Sequence, residues 1–296
     1  MNTDRRFGFW RVLACSLGGA LHWRVLVLWL VALGVVALIA AFPVWAMLDA
    51  SLSQTLDAAR LATGIDAVAF GDLMHAMDQD TTLRFGVLVS LLLSLLLSPW
   101  LTGVILAAIR QGKAGRLGSL AGEGMREYGR QLRLLIWSLI PFGMAVALGA
   151  WWMNLASGHA ETAVLVADAK RMSRFALAGA VAVFVLMHVT IELARARIAV
   201  RDDTRSVIRA WWRGLKLLLR RPFAVLGLYL LVSVAGLVVV LLLGWLRVGM
   251  AGIGAGQFVL AVLCGQLVVA AMAWMKFARL RALARVVDDE ARRQAG

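Results

Sequence analysis

The stretch RSVIRAWWRGLKLLLRRPFAVLGLYLLVSVAGLVVVLLL, residues 205–243, contains two kinds of helix in succession. In its first part Arg205, Arg209, Arg213, Lys216 and Arg220 recur at helical spacing along one stripe. Ile208, Trp211, Leu215, Leu218 and Leu219 form the opposite face. A basic amphipathic helix of this kind suits the headgroup plane of a bilayer. Arg221-Pro222 then turns the chain, with proline at the first helical position, where its missing N–H costs nothing. The remainder, from Pro222 onward, is an apolar run of spanning length, since a hydrocarbon core about 30 Å thick needs about 20 apolar residues.

The same plan extends outward in both directions. Apolar runs of spanning length cover residues 25–45, 85–109, 134–156, 175–193, 222–243 and 254–275. Ahead of the third, Leu117, Leu120, Met125, Tyr128 and Leu132 oppose Arg126, Arg130 and Arg133. Ahead of the first, Trp10, Leu13, Leu17 and Leu21 line one side before Trp23-Arg24. These patterns predict an all-α polytopic membrane helix bundle, residues 1–296 forming one membrane domain. It has six transmembrane helices and amphipathic interfacial helices before spans 1, 3 and 5. The unit of elbow, helix in, helix out occurs three times, a hairpin repeat about an axis along the membrane normal. Pro99 and Pro141 fall inside spans and predict kinks. Trp45, Trp100, Trp151, Trp152 and Trp245 cluster at span ends, as interfacial aromatic belts do.

Composition agrees: the chain is 61% hydrophobic with a mean hydropathy of +0.81. The net charge of +14 would suggest nucleic acid were it not so unevenly divided. Of 31 Lys and Arg, 25 lie on the side of both termini and six on the other, namely Arg60, Arg84, Lys170, Arg171, Arg174 and Arg247. By the positive-inside rule both termini are expected in the cytoplasm, and a basic inner face meets anionic lipid headgroups. No nucleic-acid partner is expected; membrane lipids are, together with a protein partner or a second copy. Arginine far outnumbers lysine, which with the Ala and Leu load suggests a GC-rich bacterial genome, and the localisation expected is a bacterial inner membrane. Arg5-Arg6 and the segment Val12-Leu13-Ala14-Cys15 resemble export signals, but Arg11 and Arg24 interrupt the apolar stretch, so a retained first anchor is expected.

The outer loop, residues 46–84, carries Asp49, Asp57, Asp66, Asp72, Asp78 and Asp80 and reads as a solvated acidic loop with short surface helices. It lacks the glycine and terminal glutamate of a calcium loop. Residues 276–296 read as a cytoplasmic helical tail in which Asp288–Arg292 and Asp289–Arg293 sit acid before base at i, i+4.

Polar side chains at membrane depth are the strongest functional signal in such a chain. His188 and Glu192, four apart, share a face of the fourth span. They suit either a proton relay or lipid-phosphate site with Arg195, or a buried pair anchoring the helix end, the plainer expectation. Ser90, Ser94 and Ser98 form a stripe that reads as a hydrophilic path or, more simply, as close packing through small residues. Gln266 reads as an interhelical hydrogen bond. Cys15 and Cys264 have no ligand spacing, and no nucleophile elbow, phosphate loop or paired-carboxylate motif occurs. No catalytic residue, cofactor or metal is therefore expected. The function expected is a non-enzymatic membrane protein that organises lipid or binds a partner through its basic face, with headgroup contacts from Arg205, Arg209, Arg213, Lys216, Arg220, Arg126, Arg130 and Arg133. The alternative is a permease or transport-related subunit for an amphipathic or lipid-like solute.

Two segments carry a family resemblance: RQGKAGRLGSLAGEGMREYGRQLRLLIWSLI, residues 110–140, and ELARARIAVRDDTRSVIRAWWRGLKLLLRRPFAVLGLYLL, residues 192–231. They resemble uncharacterised bacterial six-helix integral membrane proteins, and the layout is similar to the membrane domain fused to some glycerophosphodiester phosphodiesterases. The specific part lies around Arg195 and Asp202-Asp203. No phosphodiesterase domain is present, so the resemblance implies topology and no activity.

Overall fold

The structure, a computed structural model, describes residues 8–52, 81–112, 115–162, 166–200, 206–249 and 255–295. The described residues form α1 (Phe9–Gly19), α2 (Trp23–Leu52), α3 (Thr81–Gln111), α4 (Leu117–Arg126), α5 (Tyr128–Thr162), α6 (Val166–Val200), α7 (Val207–Arg220), α8 (Pro222–Val248) and α9 (Ala255–Ala295). Six of these, α2, α3, α5, α6, α8 and α9, are long and apolar enough to cross a membrane. Helix is the form that satisfies every backbone N–H and C=O within the segment, as a hydrocarbon solvent requires. The helices run past the apolar runs at both ends; α9 continues unbroken to Ala295, so the tail is the extension of the last span. In the outer loop Asp49 lies at the end of α2, whereas Asp57, Asp66, Asp72, Asp78 and Asp80 lie outside the described residues.

The most extensive helix pairings are α2 with α3, α5 with α6, and α8 with α9, so the spans form three hairpins. The second, or trailing, helix of each hairpin also links the units: α3 packs on α5 and α6, α6 on α9, and α9 on α2, which closes the ring. Each amphipathic elbow lies on the trailing helix of the hairpin before it, α4 on α3 and α7 on α6. The N-terminal elbow α1 completes the cycle by lying on α9.

The elbows are fastened in related ways. Trp100 of α3 donates its indole N–H to the Ala121 carbonyl of α4 over 3.1 Å, and Trp274 of α9 donates to Leu17 of α1 over 3.0 Å. At α6 the direction reverses: Trp211 of α7 donates to Thr190 Oγ1 over 3.0 Å. Close approach of α4 to α3 needs glycine on both sides, since a Cβ at Gly103 would fall 2.6 Å from the Gly124 carbonyl oxygen. Where α1 meets α9, the Arg281 guanidinium occupies the space above Gly19 and bonds its carbonyl, and Arg285 reaches Val12 O at 3.4 Å.

The core sits at the elbow end. On α3, residues 101–108 are buried on all sides, as is most of 189–199 on α6 and of 277–287 on α9. Within lipid, helix association gains little from desolvation and depends on packing, so small residues that let backbones approach are favoured. Ala107, Ala108, Ala194, Ala196, Ala278 and Ala282, all buried, fit that requirement. Toward the opposite end the same helices expose leucine, valine and phenylalanine on broad faces.

Two details differ from the sequence expectation. The second elbow stops at Arg126, and the chain breaks at Glu127, so Tyr128, Arg130, Leu132 and Arg133 belong to α5. The break is held by the Glu127 carboxylate, gripped by Arg110 at 2.8 Å and Arg130 at 3.3 Å. Trp100 is half-buried and spends its N–H on an elbow carbonyl, whereas Trp45, Trp151, Trp152 and Trp245 are exposed at span ends. Pro99 and Pro141 lie inside α3 and α5, as the sequence places them.

Candidate functional site

Two cationic regions emerge, one on the elbow surface and one buried between the trailing helices. On α7 three faces are distinct. Val207, Ala210, Gly214, Leu217 and Leu218 are buried against the bundle. Ile208, Trp212 and Leu219 are 52%, 51% and 73% exposed, and Arg209, Arg213, Lys216 and Arg220 form a separate exposed stripe. At 100° per residue the exposed apolar arc lies between the buried and the basic ones, the geometry of a helix touching protein, lipid and water at once. Ser206 caps its start by accepting from the Arg209 N–H. Arg205 lies outside the described residues.

The basic stripe borders a cleft of about 310 Å³ between α6, α7 and α9, lined by Arg197, Arg213, Lys216, Arg220, Glu290 and Gln294. Below it, Arg221 binds Asp289 at 2.7 Å and Glu290 at 3.0 Å, which ties the α7–α8 turn to the end of α9. On the lipid-facing side an apolar groove of about 320 Å³ runs between Trp137, Pro141, Met187, Trp211, Leu215 and Leu219. The other expected headgroup contacts are divided. Arg126 is exposed and pairs with Glu123 at 2.9 Å, Arg130 is committed to Glu127, and Arg133 lines a cleft of about 370 Å³ beside Ser206 and Ile208.

The buried region centres on α6. Glu192 is fully buried and accepts from Arg195 Nη1 at 2.7 Å. His188 takes a different partner, with Nδ1 2.8 Å from the Tyr229 hydroxyl of α8. Arg279 of α9 lies with its guanidinium 5.2 Å from the Tyr229 ring and donates to Ser233 Oγ at 3.4 Å. Lys276, also of α9, donates to Thr102 Oγ1 of α3 at 3.0 Å and lies 5.2 Å from the Trp29 ring. Arg195, Arg279, His188 and Lys276 are all close enough to couple to the Glu192 carboxylate.

The repeat explains why these groups meet. Thr102, Glu192 and Lys276 each lie two residues after the side chain that fastens an elbow, respectively Trp100, Thr190 and Trp274. They therefore occupy equivalent positions in the three trailing helices, facing the ring's centre. Arg195 and Arg279 come one turn later in α6 and α9. Among the described residues the cluster joins three basic side chains, Arg195, Lys276 and Arg279, to one carboxylate. Arg195 Nε, Arg279 Nε and Glu192 Oε2 are buried with no hydrogen-bond partner among the described residues.

The structure brings His188 and Glu192 into this cluster but not the other polar residues of the spans. Ser90 is buried and donates to its own helix at Gly86 O, 2.8 Å away. It precedes Thr102 by 12 residues, about 18 Å along the helix. Ser94 and Ser98 are half-buried on α3, and Gln266 is half-buried on α9, about 15 Å before Lys276. Local sequence patterns do not mark Lys276, Arg279, Thr102 or Tyr229. Hydropathy ends the last span at Met275 and assigns both cations to the tail. The signal that finds Thr102 and Lys276 is the repeat itself, a Trp or Thr with a polar side chain two residues on, and it marks neither Arg279 nor Tyr229.

No protein-family model, curated protein or solved structure matches this chain.

Proposed function

We propose that the protein is a non-enzymatic component of a bacterial inner membrane, with its elbow end and both termini cytoplasmic, that gathers anionic lipid headgroups on the basic faces of its elbows. The observation that carries this reading is the three-faced α7. Its apolar arc fixes the helix at the hydrocarbon boundary, so the Arg209, Arg213, Lys216 and Arg220 stripe stands at headgroup level. Each such base contributes about 1 kcal/mol toward an anionic surface, and the effect fades within a Debye length as salt rises. The skewed distribution of Lys and Arg supports the orientation.

The test uses spin-labelled lipids around the protein in bilayers. Phosphatidylglycerol should be immobilised in preference to phosphatidylcholine, and the preference should shrink with salt. In an Arg213→Gln, Lys216→Gln, Arg220→Gln triple variant it should fall severalfold. Equal preference in wild type and variant would defeat the reading.

The buried cluster supports a second reading, a permease or transport-related subunit for an amphipathic or lipid-like solute, because intramembrane charge commonly marks a solute path. Reconstituted protein that moves a labelled anionic lipid between leaflets would favour it over a static organiser.

A further inference from the structure

The central side chains are sealed at their own level: Thr102 is 1% exposed and Glu192 fully buried. Steps of 7, 11, 14 and 18 residues back along each trailing helix stay within about 40° of the same face. On α3 that face carries Leu95, Leu91 and Leu88, which are 49%, 62% and 56% exposed, and then exposed Arg84. On α6 it carries half-buried Val185, then Val181 at 54% and exposed Ala178 and Arg174. On α9 it carries half-buried Val269 and Gly265, then Val262 at 45% and Phe258 at 71%. A bundle closed along its whole length would bury these positions. Here they open, and on α6 and α9 the opening widens with distance from the cluster.

We propose that the space between the trailing helices holds one phosphate-bearing lipid. Its phosphate rests on the floor made by Arg195, Lys276 and Arg279, and its chains lie against Leu88, Leu91 and Val181. Charge selects the occupant. Among the described residues three basic side chains face one carboxylate, an excess of basic groups in a buried site, where an uncompensated charge is costly. The Nε donors of Arg195 and Arg279 have no acceptor among the described residues, and guanidinium forks match phosphate oxygens. The apolar walls select against a free hydrated ion and suit acyl chains. With the phosphate at the floor and the chains running away from the elbows, the lipid points as lipids of the elbow-side leaflet do. The proposal does not rest on the elbow surface, whose bases lie outside the ring.

The experiment is native mass spectrometry of the delipidated full chain in detergent, offered phosphatidylglycerol, phosphatidylcholine or inorganic phosphate. Wild type should retain one phosphatidylglycerol at least tenfold better than phosphatidylcholine, with inorganic phosphate failing to displace it. Lys276→Met combined with Arg279→Gln should lower that occupancy at least tenfold. Leu91→Trp, which fills the space and leaves every charge in place, should do the same, and it decides the matter if the charge variant does not fold. Melting temperature reports folding in each case. Full occupancy in folded Leu91→Trp protein overturns the proposal. So does displacement by inorganic phosphate, which would make the floor a free-anion site. The elbow triple variant should keep the bound lipid, so failure of the surface reading and failure of this one give different results.

Discussion

Lys276 Nζ lies 3.0 Å from Thr102 Oγ1, joining α9 to α3 across 174 residues of chain. The bond passes through the centre of a ring whose three units are otherwise connected largely by apolar packing. It draws a lysine into a place where hydropathy expects none. Thr102 itself donates back to Ser98 O at 2.8 Å, so its hydroxyl oxygen is already oriented to accept.

Thr102→Val keeps the shape of that site and removes its hydroxyl. The lysine then loses its acceptor while remaining close to Arg195 and Arg279. Bonds to charged groups contribute about 1.5–3 kcal/mol, so a melting temperature lowered by several degrees is expected in detergent. Thr102→Ser should restore most of the loss. An unchanged melting point for the valine variant would show that the bond does not stabilise the ring.

The Gly103–Gly124 contact admits no side chain. Gly103→Ala would place a methyl group 2.6 Å from a backbone oxygen and 3.2 Å from Glu127 Cβ, neither of which can swing aside. Overpacking of this kind costs about 1–3 kcal/mol. Gly118→Ala and Gly122→Ala, on the same elbow with nothing within 4 Å, should instead be neutral or stabilising by up to about 1 kcal/mol. Thermal unfolding of the three variants side by side checks the contrast.

Glu127→Gln should be among the most damaging single changes outside the central cluster. It removes a carboxylate that Arg110 and Arg130 share. Breaking a buried pair from one side costs about 3–5 kcal/mol, and partial exposure of the two arginines places this case at about 3 kcal/mol or below. Arg110 also donates to the Ile198 and Ala199 carbonyls at the end of α6, at 2.6 and 3.1 Å. Faster amide exchange in the last turn of α6 is therefore expected in the variant.

The three elbow fastenings should be comparable in strength. Trp100→Phe, Trp211→Phe and Trp274→Phe each delete one indole hydrogen bond of 3.0–3.1 Å while keeping an aromatic ring. Each should cost about 1 kcal/mol, measured as a shift in melting temperature. A single variant far outside the others would mean that the units are not energetically equivalent.

Orientation has its own measurement. Reporter fusions after Asp66 and after Arg205 should lie on opposite sides of the membrane, the first outside and the second inside, as the distribution of basic residues requires. The reverse assignment would overturn the proposed cytoplasmic placement of the elbow surface.

The parts of this architecture that hydropathy encodes are readable in the chain. Runs of twenty apolar residues can do little but span, and the alternation of arginine and leucine stripes in residues 205–220 leaves one place for an elbow. What periodicity does not encode is which neighbour a helix chooses. The partner of His188 is a tyrosine on α8, and nothing in the spacing of His188 and Glu192 points to it. Lys276 and Arg279 are hidden for a related reason, since a hydropathy boundary marks where apolar sequence ends and not where burial ends. The break at Glu127 depends on Arg110 and Arg130 arriving from two helices, a long-range condition invisible to a local pattern.

The closure of α1 onto α9 imposes an order on biosynthesis. As the ribosome delivers the chain into the bilayer, α4 and α7 emerge directly after the helices that receive them and can dock at once. The first elbow cannot: the Arg281 that bonds Gly19 is translated 262 residues later. Until then α1 must wait at the membrane surface, its docking face uncovered, while two complete hairpins insert. The last helix is thus the latch on the first, and a nascent chain halted before α9 lacks the helix that receives its N-terminal elbow.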